Sequence, residues 1–155
     1  MSDAVRNLAA FKIGVVNFDG ARHSTTGISG DQFGYAELKI PSPLPAEWVG
    51  KSSRVAAYAS MDGDPPAFKW ASINPEVGVW GKPIGNKACV QGQSVQLFIS
   101  FGVDKPNATR VNGGETLYFN VQNRMPWYGS GSLETPSSCG PGHECDFSMD
   151  ASIPG

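Results

Sequence analysis

Apolar and polar residues alternate over three segments of this chain, and this period of two constrains the fold more than any other feature. The segments are residues 94–101, 116–121 and 147–153. Successive side chains of a β-strand point to opposite faces, so each segment predicts a strand with one buried face. Residues 94–101 alternate most cleanly, and we expect this strand to lie centrally in its sheet. The residues expected to face the core are Val95, Leu97, Ile99, Phe101, Leu117, Phe119, Val121, Phe147, Met149, Ala151 and Ile153.

Shorter segments, of which the first two also alternate, predict the remaining strands. They are residues 11–16, 35–40, 54–60 and 67–70, with residues 77–80 as a further candidate. The second of these strands should end at Pro41, because proline cannot donate a hydrogen bond to a strand ladder.

Turn-forming residues separate these segments. The chain has 19 glycines and 12 prolines, which is high for a helical protein. Residues 22–31 are polar and rich in Gly, Ser and Thr, so we expect a loop there. Short strands and frequent turns predict an all-β fold, an antiparallel β-sandwich of the jelly-roll or immunoglobulin-like kind with about seven or eight strands. A chain of 155 residues without an evident linker suits a single domain over residues 1–155.

Charge and hydropathy argue against two kinds of partner. The formal net charge is -2 and charged residues make up 17% of the chain, whereas a nucleic-acid surface needs clustered Lys and Arg. We therefore expect no nucleic-acid partner. No apolar run approaches the roughly 18 residues of a membrane-spanning helix, so we expect no membrane insertion. The N-terminal residues lack a basic region followed by an apolar one, so either the protein is not exported by that route or a signal has been removed.

A long segment joins the last two predicted strands, and loops longer than about 12–15 residues are usually functional or disordered. It carries Trp127 and Tyr128 shortly after Arg124, outside any alternation that would bury them. An exposed Trp-Tyr pair offers a flat surface for a sugar ring or a protein hot spot. The alternative, which we favour, is that the two rings cover the open end of the sandwich as a small satellite core. Arg124, Trp127 and Tyr128 are the candidate ligand-binding residues.

Two of the three cysteines are close in sequence. Cys139 and Cys145 are separated by Gly-Pro-Gly-His-Glu, a turn-forming segment that can bring them within bonding range. We expect a disulfide between them, and the alternative is two free thiols in a reducing cytosol. A zinc site is a weaker alternative, because His143 and two cysteines supply three candidate ligands at the wrong spacing. Cys89 has no evident local partner.

No catalytic constellation is visible in the sequence. His23 and His143 lie in polar segments without neighbours that suggest a base or a nucleophile. Asp146 and Asp150 share one face of the last predicted strand, so a calcium site or a catalytic carboxylate pair is conceivable there. The sequence pattern of a calcium-binding loop is absent. We therefore expect that the protein is not an enzyme and has no metal or other cofactor.

The end of the chain resembles a pattern found in a group of largely uncharacterised proteins. The run Gly-Gly-Glu-Thr-Leu-Tyr-Phe-Asn-Val-Gln-Asn from Gly113 is followed by Cys139, Cys145 and a closing Pro154. This run resembles the ends of small bacterial and phage-encoded β-sandwich proteins, in which a "GxTYYxNVR" strand precedes a paired-cysteine hairpin. The resemblance implies a sandwich with a disulfide, and it brings no catalytic residues.

These observations favour a non-enzymatic structural or attachment protein of a phage virion, such as a head decoration or tail accessory subunit. Virions leave cells by lysis, which reconciles a cysteine hairpin with the missing export signal. The alternative is a secreted bacterial module that binds a glycan or a protein through residues 124–138. The expected partners are other virion proteins or a cell-surface glycan or protein, and the expected location is the virion or the extracellular space. Because a sandwich keeps open sheet edges, a homo-oligomer is a further expectation.

Overall fold

The computed structural model describes residues 9–29, 32–59, 67–79, 94–124 and 144–155. These residues form nine β-strands and one 3₁₀ turn, Ala46–Trp48. Within them, no helix has the length and apolar character that crossing a bilayer requires. The strands are β1 Ala9–Val15, β2 His23–Ser29, β3 Gln32–Lys39, β4 Ser52–Ala59, β5 Ala67–Asn74, β6 Ser94–Phe101, β7 Thr109–Val111, β8 Thr116–Arg124 and β9 Glu144–Ala151.

The strands form two sheets. One sheet has four strands in the order β1-β3-β8-β5, and the other has five in the order β2-β9-β4-β6-β7. Neighbouring strands are antiparallel except for β1 with β3 and β6 with β7, which pair in parallel. The predicted all-β sandwich is confirmed. The described residues contain nine strands, and the two parallel pairings depart from the expected all-antiparallel arrangement.

Side chains from both sheets meet in one hydrophobic core. Leu117, Phe119 and Val121 of β8 are at most 3% exposed, and Ala36 and Leu38 of β3 are fully buried. Full burial of a leucine or phenylalanine side chain stabilises a fold by about 1.5–3 kcal/mol. The apolar residues of the alternating pattern therefore lie on the face of each sheet that packs into the core.

The strand predicted over residues 94–101 is β6, with the same bounds. Val95, Leu97 and Ile99 are buried, whereas Phe98 on the opposite face is 42% exposed. The middle strand of the five is β4, and β6 lies between β4 and the short edge strand β7. The strand expected to lie centrally is therefore an interior strand, and the middle position belongs to β4.

The loop expected over residues 22–31 is wrong for most of its length. His23–Ser29 form β2, which pairs antiparallel with β9 at one edge of the five-stranded sheet. The register shifts between Thr25 and Ile28, which marks a bulge or irregularity. Thr and Ile fit a strand well, and the backbone ladder to β9 holds this edge strand without an alternating apolar pattern.

Residues 75–79 form a turn, so the strand expected over residues 77–80 is wrong in its described part; Trp80 lies outside the described residues. We call residues 75–79 the return segment, because they fold back onto β8. The backbone N–H of Gly78 donates to Asn120 Oδ1 at 2.9 Å. Gly78 has a φ of 74°, in the left-handed region that favours glycine. A bond to a strand distant in sequence therefore fixes this turn.

The last predicted strand ends earlier than expected. Ile153 was expected to face the core and is 69% exposed. The strand β9 ends at Ala151, and the backbone N–H of Ser152 then donates to the carbonyl oxygen of Arg54 at 2.9 Å. The Ser152 hydroxyl accepts a hydrogen bond from the N–H of Arg54, also at 2.9 Å. These bonds to β4 redirect the chain, so the alternation does not continue to Ile153.

An aromatic cluster closes one end of the sandwich. The rings of Phe18, Trp48 and Phe101 have centroids between 5.2 and 5.5 Å apart. Trp48 comes from the 3₁₀ turn and packs against the core. The opposite end of the sandwich is where β8 ends at Arg124 and β9 begins at Glu144.

Candidate functional site

The candidate ligand-binding residues of the long loop lie mostly beyond what the structure describes. Trp127 and Tyr128 are outside the described residues, so their exposure stays a prediction. Arg124 is the last residue of β8, and its backbone lies opposite Ala67 of β5. Arg124 was the first residue of the loop expected over residues 124–138, and it is a strand residue instead, because pairing with β5 continues to that position.

The predicted disulfide is not tested by the described residues. Cys139 lies outside them, and Cys145 belongs to β9, with its backbone opposite Ile28 of β2. The bond between Cys139 and Cys145 stays a prediction. Of the two histidines, His143 lies outside the described residues and His23 is the first residue of β2.

The described residues bring five notable side chains together on the outer face of the five-stranded sheet. Those from β4, β6 and β9 alternate along their strands with buried core residues, which directs them away from the core. The fifth comes from the residue just before β2. We call this set the charged-aromatic face. Its members are Arg22, Arg54, Tyr58, Phe98 and Asp150.

Asp150 is the buried charge of this face, with a side chain only 7% exposed. Its Oδ2 lies 3.7 Å from Arg22 Nε, and its Oδ1 lies 3.6 Å from Arg54 Nη2. Both separations are longer than a hydrogen bond. Among the described residues, Asp150 Oδ1 and Arg54 Nε have no hydrogen-bond partner. The two arginines therefore neutralise the carboxylate without using its full bonding capacity.

Arg22 also covers an aromatic ring. Its Cζ lies 3.9 Å from the centroid of the Tyr58 ring, which is the geometry of a cation–π contact. The Arg22 side chain is still 56% exposed. Its guanidinium thus contacts Asp150, Tyr58 and the solvent at the same time.

Phe98 adds apolar surface beside Arg54. It is paired directly opposite Arg54 across β4 and β6. Residues paired in this way have Cβ atoms about 4.5–5.5 Å apart, so the ring and the guanidinium stem are neighbours. The Arg54 side chain is 40% exposed and Phe98 is 42% exposed. A ligand can therefore reach both.

A small residue lies at the centre of the face. Ala56 is paired opposite Asp150 on β9 and opposite Gln96 on β6. Although its strand position points it away from the core, it is 0% exposed. Both of its register neighbours have longer side chains, and the small side chain of Ala56 leaves space between them.

The charged-aromatic face has the chemistry of a binding surface. Guanidinium groups present planar N–H donors that match carboxylates and phosphates, and an aromatic ring offers a flat apolar surface. The combination suits a ligand with both an anionic or hydroxyl group and an apolar side. Within the part of the chain that the structure describes, no group of three or more His, Cys, Asp or Glu side chains could hold a metal ion.

The sequence indicates Asp150 as one member of a possible carboxylate pair with Asp146. It does not indicate the other four residues of the face as site residues. The alternation of β4 and β6 does place Arg54 and Phe98 on outward faces. The sequence does not reveal that β4 lies between β9 and β6, and this strand order is what brings the side chains together.

Comparison with known proteins identifies no family. No model of a known protein family matches the chain, and no curated protein matches it. The chain is similar to a solved structure, the pre-peptidase C-terminal domain of collagenase from Bacillus anthracis. That likeness has 8% sequence identity and a TM-score of 0.42, and it covers 96% of this chain and 100% of that one. A likeness of this degree carries no functional argument.

Proposed function

We propose that this protein is a non-enzymatic attachment protein that binds its partner through the charged-aromatic face. The observation that carries the proposal is the Asp150 carboxylate, 7% exposed, held at 3.7 and 3.6 Å from Arg22 and Arg54 on the outside of a sheet. Burying a charge costs free energy, and a pair without hydrogen bonds offsets little of that cost. Residues whose burial or pairing does not stabilise the fold are concentrated at functional sites.

The residue types of the face favour binding over chemistry. Arginine and aromatic residues dominate the energetics of binding interfaces. Arg54 and Phe98 are neighbours, and they are 40% and 42% exposed. The five side chains of the face include one carboxylate and no histidine, cysteine or hydroxyl nucleophile paired with a base, which acid–base or covalent catalysis would need.

The proposed setting is a phage virion, where the face would contact other virion proteins or a host-cell surface. The alternative from the sequence is a secreted bacterial module that recognises its ligand through residues 124–138. The two proposals differ in where the partner binds. The first uses the outer face of the five-stranded sheet, and the second uses residues 124–138.

The experiment is a binding measurement with the labelled full chain on a panel of bacterial cells and on purified capsids and tails. Wild type is compared with Arg54→Ala and Phe98→Ala. We expect saturable binding that each substitution weakens about tenfold or more, the size of effect usual for an interface arginine or aromatic residue.

Two control variants carry matched changes on the opposite sheet. Tyr118→Ala removes an aromatic side chain whose ring packs beside Tyr35 at 5.9 Å. Lys39→Ala removes a positive charge that is 63% exposed. Both should bind like wild type. Binding lost in Trp127→Ala and kept in Arg54→Ala would contradict the proposal and assign recognition to residues 124–138.

A further inference from the structure

We propose that the ligand of the charged-aromatic face is an acidic carbohydrate, with its carboxylate bound by Arg22 and Arg54 and its ring packed on Phe98. This inference rests on the proposed function and names the ligand class of the same site. It is supported by the charge of the face, by its apolar surface and by its position within the sheet.

The five side chains of the face carry more positive than negative charge. Arg22 and Arg54 share one carboxylate, that of Asp150, through Nε of the first and Nη2 of the second. Each guanidinium has about five N–H donors. Arg54 Nε is buried, and the donors of both arginines that are neither buried nor turned to Asp150 remain for a ligand. The two arginine side chains are 56% and 40% exposed, which leaves those donors within reach. A ligand carboxylate would give the second arginine a counter-charge of its own.

Phe98 supplies a surface that a simple anion would not need. The C–H side of a sugar ring packs on an aromatic ring, while its hydroxyl and carboxylate groups point outward to polar partners. Phe98 and Arg54 are directly opposite each other in the β4–β6 ladder. Their Cβ atoms are thus about 4.5–5.5 Å apart, a span that one sugar ring bearing a carboxylate can bridge.

The position of the face within the sheet favours a carbohydrate over an extended peptide. Four of the five residues of the face lie on β9, β4 and β6, and each of these strands has a neighbouring strand on both sides. A peptide that adds to a sheet gains its affinity from backbone hydrogen bonds to an open edge strand. Interior strands offer no such edge, so recognition here depends on side chains. Guanidinium donors beside an aromatic ring are well suited to carboxylates, hydroxyls and sugar rings.

The test compares uronic-acid and sialic-acid polymers with the same polymers after their carboxylates have been reduced to alcohols. Binding to the full chain is measured by titration calorimetry at fixed salt concentration. We expect reduction to weaken binding at least about tenfold. Arg54→Ala and Arg22→Ala should weaken binding of the acidic polymer to a similar degree. Lys39→Ala, which removes an exposed charge from the other sheet, should leave it unchanged.

Several results would overturn the inference. Failure to bind any acidic polymer, or equal binding of acidic and reduced polymers, would do so. Stronger binding after Arg22→Ala would indicate a neutral sugar, because this change uncovers the Tyr58 ring. Equally tight binding of polyglutamate would show that charge alone, or an acidic peptide, accounts for the affinity. If binding to cells still depends on Arg54 and Phe98, any of these results contradicts only the acidic carbohydrate as ligand, and the proposed function stands. If binding to cells does not depend on Arg54 and Phe98, the proposed function itself is contradicted.

Discussion

The Asp150 carboxylate on β9 lies 3.6 Å from the Arg54 guanidinium on β4, and the aspartate side chain is 7% exposed. A carboxylate buried to this degree would stabilise the fold most if it accepted charge-assisted hydrogen bonds from the arginine, which are about 2.7–2.9 Å long. The observed separation is longer, and it leaves guanidinium donors for another group. The proposed binding role depends on those donors.

Asp150→Asn should change the free energy of unfolding by less than about 1 kcal/mol, because the amide keeps the shape of the side chain and the ion pairs that it removes offset little of the cost of burying the charge. The larger cost of about 3–5 kcal/mol, seen when a buried ion pair loses one member, requires the remaining charge to be buried as well. Arg22 and Arg54 are 56% and 40% exposed, so water solvates them when the carboxylate is gone. Urea denaturation at neutral pH measures the change. A loss of about 4 kcal/mol or more would show that the cluster serves the fold instead of a ligand.

Asn120→Ala should lower the free energy of unfolding by about 2–3 kcal/mol, because it removes buried hydrogen bonds and leaves their partners unpaired. Asn120 is 0% exposed; its Oδ1 accepts from the N–H of Gly78 at 2.9 Å and its Nδ2 donates to Ser72 Oγ at 3.1 Å. The matched control is Asn112→Ala, which removes an exposed hydrogen bond from Arg110. Its effect should stay within about 0.5 kcal/mol. Equal effects of the two substitutions in urea denaturation would contradict a structural role for Asn120.

Gly78→Ala should destabilise the fold more than Gly20→Ala. The φ angles of these glycines are 74° and 77°, so the backbone strain of alanine is similar at both, about 1 kcal/mol. A Cβ at position 78 would lie 2.9 Å from Phe33 Cζ, whereas a Cβ at position 20 meets nothing within 4 Å. Phe33 is 7% exposed, so we expect an additional cost of about 1–3 kcal/mol for moving its ring. Thermal unfolding of both variants checks the difference, and identical midpoints would contradict the packing of the return segment on Phe33.

The parts of the fold that sequence predicts well are those in which one face of a strand is buried. β6 was predicted with its observed bounds because Val95, Leu97 and Ile99 all pack into the core. β2 was missed because it is an edge strand held by its ladder to β9, and its polar composition indicates a loop. The return segment was missed because a bond from Gly78 to Asn120, distant in sequence, fixes it.

The candidate site was predictable only in part, for a related reason. Alternation places Arg54 and Phe98 on outward faces, and the pattern of the last strand places the Asp150 carboxylate on the same face as Asp146. Their convergence depends on β4 lying between β9 and β6, which follows from the packing of the whole sheet. No pattern within a single segment of the sequence indicates the order of the strands in the sheet. The contact of Arg22 with Tyr58 likewise joins residues on separate parts of the chain.

The measurement that tests the central claim most directly is the affinity of wild type, Arg54→Ala and Lys39→Ala for the same bacterial cells, determined side by side. We predict saturable binding that only Arg54→Ala weakens, by about tenfold or more. Equal affinity of all three folded proteins would contradict a recognition role for the charged-aromatic face.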